Sequence, residues 1–105
     1  MPQSLPSLTA QGASLIALGA ASALNIAAAT VVKAAPGRIA RVSVSTAGSG
    51  AGSVHDCATV GAIAAGNLVA SIPDVVGVYE IDFPCAAGIV VSPGAGGQVV
   101  SVSFT

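Results

Sequence analysis

The chain has 105 residues, a length that makes one domain around a single core. Only 7% of it is charged and its net charge is −1, against about 25% charged in an ordinary soluble domain. More than half is hydrophobic, mostly Ala and Val, with Tyr79, Phe83 and Phe104 as its aromatics. This balance excludes a disordered chain, which is charged and poor in β-branched residues. It also argues against a nucleic-acid partner, because Lys33, Arg38 and Arg41 are the only cations and form no basic stripe. It suits a protein that buries surface against copies of itself or another protein.

No charged residue precedes Lys33. Residues 13–32, ASLIALGAASALNIAAATVV, have the length of a bilayer span. Ala, Gly, Ser, Thr and Asn dilute their hydrophobic drive, and MPQSLPSLTAQG lacks the positive start of a secretory signal, so no membrane role is expected. Gly and Ser weaken a helix here. Residues 1–29 are read as an extended arm holding one or two strands.

From residue 30 the text is short strands and turns. TVVKA (30–34) is β-branched and stops at Pro36-Gly37. RIARVSVST (38–46) alternates, with Ala40, Val42 and Val44 on one face and Ile39, Arg41, Ser43 and Ser45 on the other. AGSGAGS (47–53) reads as a flexible loop and SVHDCATV (53–60) as a strand. GAIAAGN (61–67) is a loop or a single helical turn, and LVASI (68–72) a strand halted by Pro73-Asp74. VGVYEIDF (76–83) sets Tyr79, Ile81 and Phe83 against Val78, Glu80 and Asp82, and Pro84 ends it. GIVVS and QVVSVSFT flank PGAGG as a hairpin, with Val100, Val102 and Phe104 on one face. Seven strands at this spacing predict an all-β fold: a small antiparallel β-sandwich or jelly-roll-like barrel over 30–105, with an extended N-terminal arm over 1–29.

Reactive side chains concentrate at His55-Asp56-Cys57. Neighbouring residues of a strand point to opposite faces, so His55 and Cys57 share a face and Asp56 does not orient His55. His55, Cys57 and Cys85 make only three zinc ligands where a structural site takes four. Without a secretory signal the two cysteines are expected as reduced, buried thiols. Glu80 and Asp82 share a face, but three aromatics and no Trp give little to line a sugar cleft. GSGAGS and GAGG lack the Lys-Ser/Thr and helix of a phosphate loop. No catalytic set, metal or cofactor is expected.

TVVKAAPGRIARVSVSTAGSGAGSVHDC, followed by ASIPDVVGVYEIDFPCAAGIVVSPGAGGQVVSVSFT, resembles a group of small virion-associated proteins of tailed bacteriophages. Shared features are the valine-rich strand, a Pro/Ala-Gly-Arg turn, and the Gly-Ser loop leading into a strand with Asp. The Phe-Pro-Cys-x-x-Gly-Ile-Val-Val stretch and the Gly-Gln-Val-Val-Ser-Val ending complete the pattern. The likeness covers residues 30–105. It implies a structural phage protein that binds the major capsid protein and decorates or cements the head, in a virion assembled in the host cytoplasm. It implies a homo-oligomer, a trimer before a dimer, to match a local three-fold of the shell. Arg38, Arg41, Glu80 and Asp82 are the expected polar interface contacts, with Tyr79 and Phe104 as core or interface anchors. The alternatives are a head-fibre base, tail or baseplate component, a small ligand-binding β module, and an enzyme using Cys57 and His55.

Overall fold

The computed structural model describes residues 21–105; residues 1–20, most of the expected arm, lie outside the described residues. The strands are β1 (Ala21–Ile26), β2 (Thr30–Lys33), β3 (Gly37–Thr46), β4 (Gly52–His55), β5 (Leu68–Ile72), β6 (Gly77–Cys85), β7 (Ile89–Ser92) and β8 (Val99–Phe104). Two 3-10 turns, Val60–Ala62 and Ala65–Asn67, lie between β4 and β5. The strands form two antiparallel four-stranded sheets, β1-β8-β3-β6 and β2-β7-β4-β5. The pairing is nested: β1 with β8, β2 with β7, β3 with β6, β4 with β5. One long hairpin wrapped on itself gives this order, which is the eight-stranded jelly roll. The all-β sandwich expected from the strand spacing is the fold observed.

β1 falls in the segment read as arm, yet it is an integral strand, with Ala21 opposite Phe104 and Ile26 opposite Val100. The latter part of the long apolar stretch is thus sheet. No helix among the described residues is long and apolar enough to cross a membrane.

The core lies between the sheets. Ile26, Ile39, Val42, Val44, Val100 and Val102 come from one sheet, and Val54, Ile72, Ile89 and Val91 from the other. Burying a side chain of this size contributes about 1.5–3 kcal/mol, so these β-branched residues supply what the missing aromatics do not.

Bulges shift the simple alternation. Ile39 faces Phe104 and Arg41 faces Ser103, which leaves Ala40 as an extra residue on β3. The slip moves Ile39 into the core beside Val42 and Val44, where strict alternation had placed it with Arg41. A one-residue slip exchanges the two faces of a strand. β6 also gains a residue, because Ile39 faces Phe83 while Arg41 faces Glu80, and Asp82 adopts φ 50°. Phe83, in register with Ile39 on this edge strand, is nonetheless exposed, whereas Tyr79 and Ile81 pack on the core. β6 continues through Pro84 to Cys85 instead of stopping before it, as an edge strand tolerates a missing N–H.

The loop at 47–51 is more closely packed than its glycines suggest. Ser49 N–H donates to Ala95 O at 2.8 Å and Gly48 N–H to Asp74 Oδ1 at 2.6 Å. Fully buried Gln98 accepts the Gly94 N–H at 2.7 Å and donates to Pro73 O at 2.9 Å. A Cβ on Gly94 would collide with the Gly50 carbonyl, and one on Gly48 with the Ala95 carbonyl. Three connections are thereby tied into one end of the sandwich.

Candidate interaction face

Alternation along β1, β8, β3 and β6 sends Val and Ile inward and leaves serines outside. Across the outer face the register aligns Ser22, Ser103, Arg41 and Glu80 in one row. In the next row, Ser101 faces Ser43 and Ser43 faces Val78, with Leu24 and Asn25 opposite Ser101 on β1. Ser22, Ser43, Ser101 and Ser103, with Leu24, Arg41 and Val78, line a shallow open groove of about 250 Å³ with a serine floor. Its walls are Leu24, 72% exposed, and Val78, 66% exposed.

Two of the serines also repair the bulges. Ser101 Oγ accepts the Asn25 N–H at 3.1 Å, and Ser103 Oγ accepts the Arg41 N–H at 3.2 Å. Each extra residue would otherwise leave a backbone donor out of the ladder. The hydroxyls that floor the groove therefore also hold its strands in register.

The expected interface residues all fall on this sheet and divide by side. Arg38 Nε donates to Asp82 Oδ1 at 2.7 Å, and each charge favours the ionised form of the other, with Asp82 held below the usual carboxylate range. Arg41 and Glu80 stand 3.9 Å apart with side chains 41% and 68% exposed, a loose pair in solvent. Tyr79 and Phe104 pack against the core from the inner side. Tyr79 OH donates to Val75 O at 2.6 Å, which fixes the turn before β6. The four charged residues are thus on the surface, while both aromatics serve the interior.

His55, Asp56 and Cys57 are engaged by three separate sets of surroundings. β4 ends at His55 rather than continuing to Val60. His55 Nδ1 lies 2.8 Å from Asn67 Oδ1, and Nε2 lies 2.9 Å from Ser53 Oγ. Asn67 Oδ1 also accepts the Ala64 N–H, and Asn67 Nδ2 donates to Ala62 O. That orientation assigns Nδ1 as the donor and Nε2 as the acceptor of the Ser53 hydroxyl proton. Ser53, His55 and Asn67 have the order of a nucleophile, base and orienting group, but the ring is only 6% exposed and its amide partner is tied into the loop. The relay pins residues 62–67 over the outer side of β4. Val90, in register with His55 and pointing away from the core residues Ile89 and Val91, is fully buried on that same side.

Asp56 points elsewhere. Its carboxylate accepts the Ala87 N–H at 2.8 Å, the Ala86 N–H at 3.0 Å and the Gly88 N–H at 3.3 Å. These bonds, Ala87 foremost, hold it below its ordinary range. Cys57 and Cys85 are both buried free thiols, as expected. Burial pushes the Cys85 thiol up to about 11, and the nearby Asp56 charge adds to the shift. No group of three or more His, Cys, Asp or Glu among the described residues is placed to hold a metal ion.

Ser53 and Asn67 carry no sequence signal that separates them from other polar residues, since their roles arise from a fold-back of the chain. The serine floor was visible as the alternating SVS and VSVS text, though not as a face. The fold and these contacts define an eight-stranded jelly-roll protein, with polar contacts pinning its own loop over the outer side of β4 and a serine-floored groove on the outer face of the other sheet. Protein-family models, curated proteins and solved structures were each searched, and none matches this chain.

Proposed function

We propose that this protein is a structural component of a tailed-phage head, binding the major capsid protein as a homo-oligomer and decorating or cementing the shell. The observation that carries the reading is the open outer face of β1-β8-β3-β6, where a serine-floored groove walled by exposed Leu24 and Val78 lies beside the Arg41–Glu80 pair. The resemblance over residues 30–105 supplies the virion context. The jelly roll is a fold that viral capsid domains use, a likeness of architecture alone. The charges support a non-catalytic role. Asp56 and Asp74 bind backbone N–H groups of their own chain, and Asp82 and Glu80 are engaged by Arg38 and Arg41. Against a small-ligand module stands the groove itself, which at about 250 Å³ is smaller than the roughly 300–1,000 Å³ of typical ligand sites.

Copies per purified particle, measured by quantitative mass spectrometry against the major capsid protein, test the assignment. A ratio near one, or a simple fraction such as a third, places the protein on the shell lattice. A few copies per hundred shell subunits moves it to a vertex or the tail, and absence from particles rejects the virion reading.

A further inference from the structure

The sheet β1-β8-β3-β6 has β1 and β6 as its edges among the described residues. An edge strand presents unpaired N–H and C=O groups that template pairing with another chain unless it is blunted. The second half of β6 is blunted by the extra residue at Ile81–Asp82, the positive φ of Asp82 and the missing donor of Pro84. Its first half, Gly77–Glu80, has neither bulge nor proline and carries Glu80 as its one charge. There Val78 is exposed, directly after exposed Val75 and Val76. β1 likewise carries no charge and exposes Leu24.

We propose that the β6 edge of one copy pairs with the β1 edge of a second copy, extending the sheet head to tail. Strand sense permits it. Every neighbour in the sheet is antiparallel, so four strands leave β1 and β6 running in opposite directions. A second copy laid beside the first in the same orientation continues the alternation. Register favours it as well. Leu24 and Val78 end one row of the outer face, and Ser22 and Glu80 end the next. Carried across the junction, these rows set Val78 beside the next copy's Leu24 and Glu80 beside its Ser22. An apolar pair is joined and no like charges meet. A two-fold β6–β6 pairing would cover Val78 but leave Leu24 exposed, whereas head-to-tail contact covers both in every copy. Such a heterologous contact closes into a ring or runs on as a filament. Only the choice of a three-membered ring rests on the shell-decoration reading.

Disulfide trapping of the purified full-length chain tests the pairing. Directly opposed strand residues have Cβ atoms about 4.5–5.5 Å apart, close to what a disulfide spans. Leu24→Cys and Val78→Cys are made separately, with circular dichroism to check folding, and oxidised with oxidised glutathione alone and as a mixture. Cys57 and Cys85 are buried and stay out of the reaction. The expected result is a covalent dimer in the mixture, little in either variant alone, and a ladder of linked species in the double variant that ends at the ring size. Self-linking by Val78→Cys as fast as in the mixture would overturn the proposal in favour of a two-fold pairing. So would monomers throughout, checked by sedimentation of the unmodified protein. No particle is present, so a ring that is absent from virions sinks only the shell reading. A monomer found on virions at lattice ratio sinks only the edge pairing.

Discussion

Asp56 Oδ1 accepts the backbone N–H of Ala87 at 2.8 Å across 31 positions of sequence, and with Ala86 and Gly88 it joins the end of β4 to the β6–β7 connection. An acid placed on three consecutive N–H groups does the work of a cap, holding the turn between β6 and β7 with charge-assisted bonds.

Asp56→Asn keeps the shape and removes the charge. A loss of about 1 kcal/mol in chemical denaturation at pH 7 is expected for weakening these charge-assisted bonds, solvent screening reducing what a buried group would give. Because the folded carboxyl is held below its ordinary range, its contribution is present above the unfolded value of about 3.9. It is lost as pH falls through the lower folded value. The variant should therefore show a flatter stability profile in that acidic window. Equal acid sensitivity in both proteins would refute the role.

Asn67→Ala removes the acceptor of His55 Nδ1 and of the Ala64 N–H, and the donor to Ala62 O. About 2 kcal/mol of destabilisation is expected from the partners left behind. Hydrogen exchange should quicken in residues 62–67 before the rest of the sandwich is affected. Unchanged exchange in this segment would show that the loop is held by packing alone.

Ile39→Ala tests the bulge in β3. With Ile39 fully buried in the core, truncation should cost about 3 kcal/mol, while Arg41→Ala at the loose surface pair should hardly move the denaturation midpoint. A small loss at Ile39 would return the strand to simple alternation.

The thiols should be inert in the native state. With Cys85 raised to about 11, very little thiolate exists at pH 8, and both sulfurs are buried. Iodoacetamide should label two cysteines in denaturant and neither in buffer. A raised thiol stabilises the fold below the unfolded value of about 8.5, and that contribution is lost as pH rises towards about 11. Rapid labelling of the folded protein would contradict this and revive a reactive cysteine.

The strands of this protein were largely legible because Val alternates with Ser in RVSVST and VSVSF and because Pro and Gly mark most ends. What escaped depended on partners distant in sequence. Alternation predicts Ile39 outward, and only its register with Phe104 and Phe83 shows the slip. SVHDCATV reads as one strand, because nothing local reveals that Asp56 is claimed by residues 86–88. A strand is expected somewhere within residues 1–29, but the Ala-rich text has no turn signal before β1 to place it. Arg38, Arg41, Glu80 and Asp82 were found by their rarity, and the structure pairs them within the chain. The groove needed four strands in register before its serines became a surface.

The glycines at 48 and 94 have no room for a Cβ, whereas those at 61 and 66 face open space. Two similar-looking kinds of residue therefore differ in what they permit. A foreign peptide spliced next to Gly61 would protrude freely, while one placed in the 47–51 or 93–97 turns would wedge apart the knot around Gln98. For anyone wishing to display cargo on this scaffold, the tip at Val60–Gly61 is the site for grafting, while residues 62–67 pinned by Asn67 and the turns around Gln98 are the ones to leave alone.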